Sequence, residues 1–417
     1  MKRIIIWATA LVLICGTGLL TACSSDDNPL EPSEADINRE LLAQHFKDDA
    51  SVLKENLNFD AIDMSSQATE QLLRLMNKSR YFKEDLKKMM TLLTIQNMAD
   101  RTNSHGVRVV FDEMGNYKAS PADGMVFIFP ATIEGYQKTL YKLSFSSNKN
   151  WNDIPEKLTV ILSCMYNGKE VVLSKSVSDI KMYSDYPGMA AITLGTFGFE
   201  SKVEYFPLGA DDGKGTSAID IVASRKEDGS LNFSFGYVQN NLNILEMSTN
   251  LPLSRDYAVN TVAEIIEGAG RFTVNASILD DLYLTGNVGN GMSFMSALRD
   301  VAENSGNKQQ LLEQYNEFVG LLNKSISMHI SCGKDGKAIP MQLAGVNDGN
   351  SFFVLPTFDL GNQSEFTPLE EIVDQAIYES IVDILRKTAL PVGTSSATYS
   401  DLLTIMMQVL PIGVSNS

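Results

Sequence analysis

The sequence predicts an α+β fold: an N-terminal helical segment, antiparallel β-sheets built from hairpins, and C-terminal helices. Three observations predict it. Residues Ile37 to Arg101 space their apolar side chains at helical intervals, with Phe82, Leu86, Met89 and Leu93 falling on one face. From Val107 the texture changes to runs rich in Val, Ile, Phe and Tyr, such as "GMVFIFPA" and "KLTVILSCMY". Turn dipeptides, Asn167-Gly168 and Asp228-Gly229, separate these runs at hairpin spacing.

Taken in order, Ser65 or Ser66 ahead of Glu70 reads as a helix start, and Asn103 to Gly106 as a stop. The Met89-Met90 pair reads as core filler. Strand-like runs continue to "NLNILEM", ending at Met247, and their connections are too short for crossover helices, so they pair antiparallel. A helix is expected at Tyr257 to Glu267, then strands "GRFTVNASI" and "DLYLTGNV", then helices at Ser293 to Glu303 and Lys308 to Leu322. Three more strands follow, "SISMHISC", "KAIPMQLAG" and "SFFVLPTFDL". Pro368 opens a helix running to about Thr388, and a last apolar helix spans Tyr399 to Leu410.

One internal match suggests a duplicated, two-lobed module. "LTVILSCMYNGKEVVL" from Leu158 aligns with "SISMHISCGKDGKAIPM" from Ser325, and "LGTFGF" from Leu194 with "LPTFDL" from Leu355. The competing reading is that any hairpin recruits Asn-Gly or Asp-Gly and chance supplies the rest. If the copies are equivalent, Cys164 and Cys332 occupy matching places in different sheets and stay unpaired, although an oxidising compartment would allow a bridge.

The chain has 417 residues, 44% of them hydrophobic, enough for one or two packed domains. Its formal charge is −17, or −19 once Lys2 and Arg3 leave with a cleaved leader. Such a body repels phosphate backbones, which argues against nucleic-acid binding through a general basic surface. The charge run "KEDLKK", Lys83 to Lys88, reads as mixed-sign helix surface.

No catalytic signature stands out, and no cofactor is expected. His45, His105 and His329 are scattered without metal-ligand spacing. Ser51-Val52-Leu53-Lys54 has the Ser-x-x-Lys spacing of serine acyl-enzymes but lacks their companion elements. "GNVGNGMS", Gly286 to Ser293, sits between strand and helix but in the wrong order for a phosphate loop, and reads as a turn capped by Ser293. "ADDGKG", with Asp211 and Asp212, lacks the alternating ligands of a calcium loop and reads as a long hairpin tip. Trp151 is the only tryptophan beyond the leader, which weakens a sugar-platform reading.

The first thirty residues carry the clearest message. Met1-Lys2-Arg3 is basic, and Ile4 to Ala22 contains no charge, the layout of a secretory leader. Gly16, Thr17, Gly18 and Thr21 make its second half a poor membrane helix. Leu20-Thr21-Ala22-Cys23 resembles the bacterial lipobox at every position. The resemblance implies that the chain is cut before Cys23, that its sulfur is acylated, and that the new amino terminus is acylated too. Ser24-Ser25-Asp26-Asp27 resembles the acidic signal that sends Bacteroidota lipoproteins to the outer face of the outer membrane. Two or three acyl chains hold a protein stably, at about 0.8 kcal/mol per buried methylene, where one does not. Ser24 to Glu34, rich in Ser, Asp and Pro, reads as an extended tether.

The expected organisation is a signal peptide at 1–22, the lipidated Cys23 and tether at 23–36, a helical segment at 37–103, a β module at 104–255 and a second α+β module at 256–417. The resemblance implies contact with the membrane through the N-terminal lipid and with the lipoprotein-processing and export machinery. The expected function is a non-catalytic, surface-exposed outer-membrane lipoprotein that binds an extracellular partner, glycan or lipid. The alternatives are an envelope hydrolase whose site is assembled from distant residues, and a lipid carrier with an apolar cavity.

Overall fold

A computed structural model describes residues 33–384 except 80, 101–104, 149–154, 184–194, 210–214, 258–261, 297–316, 318, 348–351 and 362–365. The leader, Leu20 to Cys23, Ser24 to Asp27, Asp211, Asp212, Trp151 and the apolar segment from Tyr399 lie outside the described residues.

Among the described residues three helices come first: α1 (Glu34–Asn56), α2 (Asp60–Lys78) and α3 (Phe82–Asp100). Ser33 caps α1 with a reciprocal box: the Asp36 amide donates to Ser33 Oγ at 3.2 Å, and the Ser33 amide donates to Asp36 Oδ2 at 3.1 Å. The expected start at Ser65 or Ser66 is wrong. Both serines lie buried inside α2, which begins at Asp60, and Ser66 Oγ donates back to the Ile62 carbonyl at 2.9 Å. A hydroxyl bonded one turn back fits a helix interior as well as a cap, so the residue type alone misled.

The strands form one sheet, with β1 (His105–Phe111), β2 (Tyr117–Asp123), β3 (Met125–Ala131), β4 (Thr139–Ser147), β5 (Lys157–Tyr166), β6 (Lys169–Tyr183), β7 (Thr196–Tyr205) and β8 (Ser217–Arg225) in its first half. The second half holds β9 (Leu231–Gln239), β10 (Leu242–Leu251), β11 (Phe272–Ile278), β12 (Leu282–Val288), β13 (Ile326–Cys332), β14 (Ile339–Asn347), β15 (Phe352–Phe358) and β16 (Thr367–Pro368). The helix α4 (Val262–Ala269) separates β10 from β11. Residues 291–296, 319–325 and 375–384 are also helical. Pro368 ends the short β16, and a 3₁₀ turn, Leu369–Glu371, follows it.

Strand order follows chain order from β16 to β3, and then runs β1, β2. Expectation and structure part here in two ways. Among the described residues the strands form a single sixteen-stranded sheet, because β9 and β10 pair with each other and onward to β8 and β11, leaving no edge between the halves. Continuous pairing removes the exposed N–H and C=O rows that two separate sheets would carry. The cysteines therefore lie in the same sheet, on β5 and β13; both are buried and free. Also, β1 and β3 pair in parallel, which the short connections seemed to forbid. The crossover is the edge strand β2 itself, with Gly124 alone linking it to β3. A Cβ on Gly106 would stand 1.8 Å from the Gly124 carbonyl oxygen, so the chain can pass there only over a glycine.

Both matching segments form hairpins, but the hairpins close differently and the correspondence fails beyond them. Cys332 ends β13, whereas β5 continues past Cys164 to Tyr166 before Asn167 and Gly168 make a two-residue turn with φ of 48° and 77°. In the second copy the pairing closes at Ile330 and Ile339, across a longer loop, with positive φ at Gly333. Thr357-Phe358 pairs with Gln342-Met341, directly opposite the counterpart of Leu173. Thr196-Phe197 pairs instead with Tyr183-Met182, far up the longer β6.

All three N-terminal helices pack on one face of the sheet. Leu42, Phe46 and Ala50 of α1 meet Leu284, Met328 and Phe358. The α1–α2 link, with Phe59 and Ile62, meets Val203, Ile219 and Tyr237. Leu72, Met76, Phe82 and Met90 of α2 and α3 meet Val107, Phe127, Phe129 and Leu143. Each fully buried Leu or Phe contributes about 2–3 kcal/mol. Alternation is clean in β3, whose Met125, Phe127, Phe129 and Ala131 are buried while the residues between are half-buried.

Candidate functional site

Between two largely buried layers on this helix-bearing face runs a band that the core leaves half-buried. Register places Ile180, Phe199, Ala223, Phe233, Thr249, Val274 and Gly286 side by side across β6 to β12. Every one of them is half-buried. The neighbouring row holds Ile221, Phe235, Met247 and Ala276, also half-buried. At about 4.8 Å between strands, seven strands span about 29 Å. The opposite face of the same strands carries Ser224, Asn232, Ser234, Glu246, Ser248 and Asn250. The sheet is thus amphipathic, and its apolar middle is incompletely covered.

Segments packed on the same face flank this band on either side, and we term the strip between them the trough. One wall is the α1–α2 link. Gln239, 0% exposed, fastens it: its Oε1 accepts from the Asn58 amide at 3.1 Å and from Tyr237 Oη at 2.9 Å. Its Nε2 donates to the Asn58 carbonyl at 2.6 Å, and the Phe59 ring stacks on Tyr237 at 5.9 Å. Burial holds the Tyr237 hydroxyl in its protonated form, its pKa far above the usual value. The other wall is the segment after β10 together with α4. Arg225 Nη2 donates to the carbonyls of Ser254, Arg255 and Tyr257 at 3.3, 3.0 and 2.7 Å. Tyr257 Oη in turn donates to the Glu264 carbonyl at 2.7 Å, and Leu231, Leu251, Leu253 and Ala269 pack beneath.

A second constellation lies where α1 crosses the β11–β12 turn. His45 Nδ1 stands 2.5 Å from Asp281 Oδ2, both side chains about 30% exposed. One turn along α1, Asp49 is 6% exposed, and its Oδ2 has no hydrogen-bond partner among the described residues. Burial first, then the Asp281 and Asp48 charges, push the Asp49 carboxyl up to about 7. The Cys332 thiol is pushed up to about 12, chiefly by burial and further by Asp281 and Asp49. A thiol held protonated is a poor nucleophile. The turn positions Asp281 through Leu279 and Asp280, at φ of 53° and 56°, a region that non-glycine residues seldom adopt.

The other sequence candidates go to local structure. Ser51 Oγ donates to the Lys47 carbonyl at 3.0 Å on the exposed side of α1, which engages the hydroxyl within its own helix. In Gly286 to Ser293 the amides are engaged internally: Gly289 to the Ser325 carbonyl at 3.2 Å and Gly291 to the Gly270 carbonyl at 2.6 Å. Ser293 is not the cap; its amide donates to Asn290 Oδ1 at 3.1 Å, so Asn290 caps residues 291–296. His329 is half-buried on β13 opposite Thr285 and Pro340, and His105 opens β1. The sequence offered no signal for His45 with Asp281, which are 236 residues apart.

Among the described residues, no three or more His, Cys, Asp or Glu side chains are placed to hold a metal ion, and no helix is long and apolar enough to cross a membrane. No protein-family model, curated protein or solved structure matches the chain.

Proposed function

We propose that this chain is a lipid-anchored, outer-membrane binding protein of the cell exterior whose ligand is an elongated apolar molecule of the acyl-chain class, held in the trough across β6 to β12. One observation carries the ligand class: a row of half-buried residues, apolar but for Thr249 and Gly286, between two largely buried layers on the face that packs the helices. The row's span of about 29 Å exceeds the roughly 15 Å that one leaflet's acyl chains occupy in a bilayer core about 30 Å thick. Each methylene transferred from water into such a site stabilises binding by about 0.8 kcal/mol. The anchor and export route rest on Leu20 to Cys23 and on Ser24 to Asp27, with the processing machinery and the membrane as the partners they imply.

The full chain, purified from membranes, is titrated with a fluorescent long-chain fatty acid alongside Ala223→Trp, which sets a large ring between Phe199 and Phe233. We expect saturable binding by the parent and at least a tenfold loss in the variant, with unchanged thermal unfolding. Equal affinity in both would refute the trough as the site. For the anchor, Cys23→Ala is expected to abolish palmitate labelling and release the body from membranes; retained label would refute it.

A further inference from the structure

We propose that His45, Asp49 and Asp281 form a one-proton latch that fastens α1 to the β11–β12 turn, and that losing the proton loosens the adjoining wall of the trough. The latch stands on the His45–Asp281 contact and the buried, unpartnered Asp49 oxygen, together with the charges acting on it; its effect on ligand rests on the apolar-ligand reading above.

His45 and Asp49 lie four residues apart and so share a face of α1. That face meets Asp281, which is 2.5 Å from His45 Nδ1 and whose charge acts on Asp49. Among the described residues, the charges acting on Asp49 are Asp48 from α1 and Asp281 from the turn; Asp49 in turn acts on the Cys332 thiol of β13, and His45 lies one turn back on α1. Asp280, also in the turn, is engaged by Asn243 Nδ2 at 3.2 and 3.3 Å. Among the described residues no lysine or arginine pairs with Asp49, and its Oδ2 has no partner. A buried carboxylate beside a second carboxylate is tolerated only while one of them holds a proton. Burial together with the Asp281 and Asp48 charges places that proton's loss near neutrality, at about 7. Once it is gone, the two negative charges repel across the α1–turn contact, and separation is the available relief.

The turn joins this latch to the trough. Its Leu279 packs in the cluster that contains Ile221, Phe235 and Leu245 of the sheet and Leu53 and Leu57 from the end of α1. Asp281 and Leu279 are two residues apart in a turn held by the Leu279 amide on the Ile244 carbonyl at 3.1 Å and the Asp281 amide on the Ile278 carbonyl at 2.9 Å. The Asp281 carbonyl also accepts from the Gly333 amide at 2.6 Å. A shift of α1 relative to Asp281 is therefore transmitted to a residue that packs against the trough lining.

Hydrogen exchange of the full chain at about pH 6 and about pH 8.5 tests the latch, with β3 and β4 amides as the internal reference. After correction for the intrinsic chemical rate, α1 amides are expected to exchange at least about tenfold faster at the higher pH, the reference amides unchanged. Asp49→Asn should remove the rise, and Asp281→Asn, which keeps Asp49 but takes away its charged neighbour, should reduce it. An α1 rate that does not change, or a rise that persists in Asp49→Asn, would overturn the latch. Titration with a fluorescent long-chain fatty acid is run in parallel. Weaker binding at the higher pH in the parent, but not in Asp49→Asn, supports the coupling. Equal binding at both pH values alongside the α1 rise overturns the coupling and leaves the latch. Absence of binding at either pH overturns the apolar-ligand reading, and the exchange result still decides the latch.

Discussion

Replacing Asp49 with Asn should change how stability depends on pH, and the size of the change follows from the site. The native carboxyl titrates at about 7 against 3.8 for an ordinary aspartate, a difference of about 3 units. At about 1.36 kcal/mol per unit, the ionised form is disfavoured in the fold by about 4 kcal/mol. The native state binds more protons than the unfolded chain between these two values. The contribution of Asp49 is therefore fully present below about pH 4 and is lost as pH rises through about 7. Asn is neutral at every pH and nearly isosteric, so the variant should match the parent near pH 4 and exceed it by up to about 4 kcal/mol near pH 8. Urea unfolding of both chains at the two pH values measures this; with a slope near 3 kcal/mol per molar, the midpoints should separate by about 1 M at the higher pH only. Exposed carboxylates held low by local hydrogen bonds, such as Asp112 and Asp228, titrate in both chains and cancel in the difference. An offset of the same size at both pH values would refute the reasoning, because it would mean that Asp49 contributes packing and not a proton.

Gln239→Leu should lower stability by about 2–4 kcal/mol, because it strips partners from the Asn58 amide and carbonyl and from Tyr237 Oη; chemical unfolding measures the loss, and one below about 0.5 kcal/mol would contradict the assigned role. Cys164 and Cys332 are both buried with raised thiol pKa values, so a thiol reagent at neutral pH should label neither in the native chain and both in denaturant. Rapid native labelling of either would show that the packing over that strand is wrong.

The helices were legible where a single face repeats, as with Phe82, Leu86 and Met89 on α3. Helix ends were less so, since Ser65 and Ser66 can cap a helix or bond back within one, and sequence does not say which. The hairpin at Asn167-Gly168 was legible because a two-residue turn needs positive φ at both positions. The turn of Leu279 and Asp280 uses the same backbone region with residues that give no warning of it. Of the candidate sites, neither the trough nor the latch had a local signature. The trough depends on which residues stand beside one another across seven strands, and the latch joins residues 236 apart.

By itself, the sequence determined the class of most described segments, though not of the stretch at Pro368, where a short strand and a 3₁₀ turn stand in place of a helix start; it also determined the net acidity and the lipobox-like stretch that speaks for an anchor at Cys23. These are properties of neighbours along the chain, set by periodicity, turn chemistry and charge. Only the tertiary structure decided that the strands form one sheet instead of several. It also decided that α1, the first described helix, seats against β12 to β15, with Asn38 donating to the Leu360 carbonyl 322 residues away. Hydrophobic burial is non-directional, so a pattern of apolar residues says that a face will be covered and not by what. Register and helix placement settle that, and with it which part of the apolar face stays half-buried.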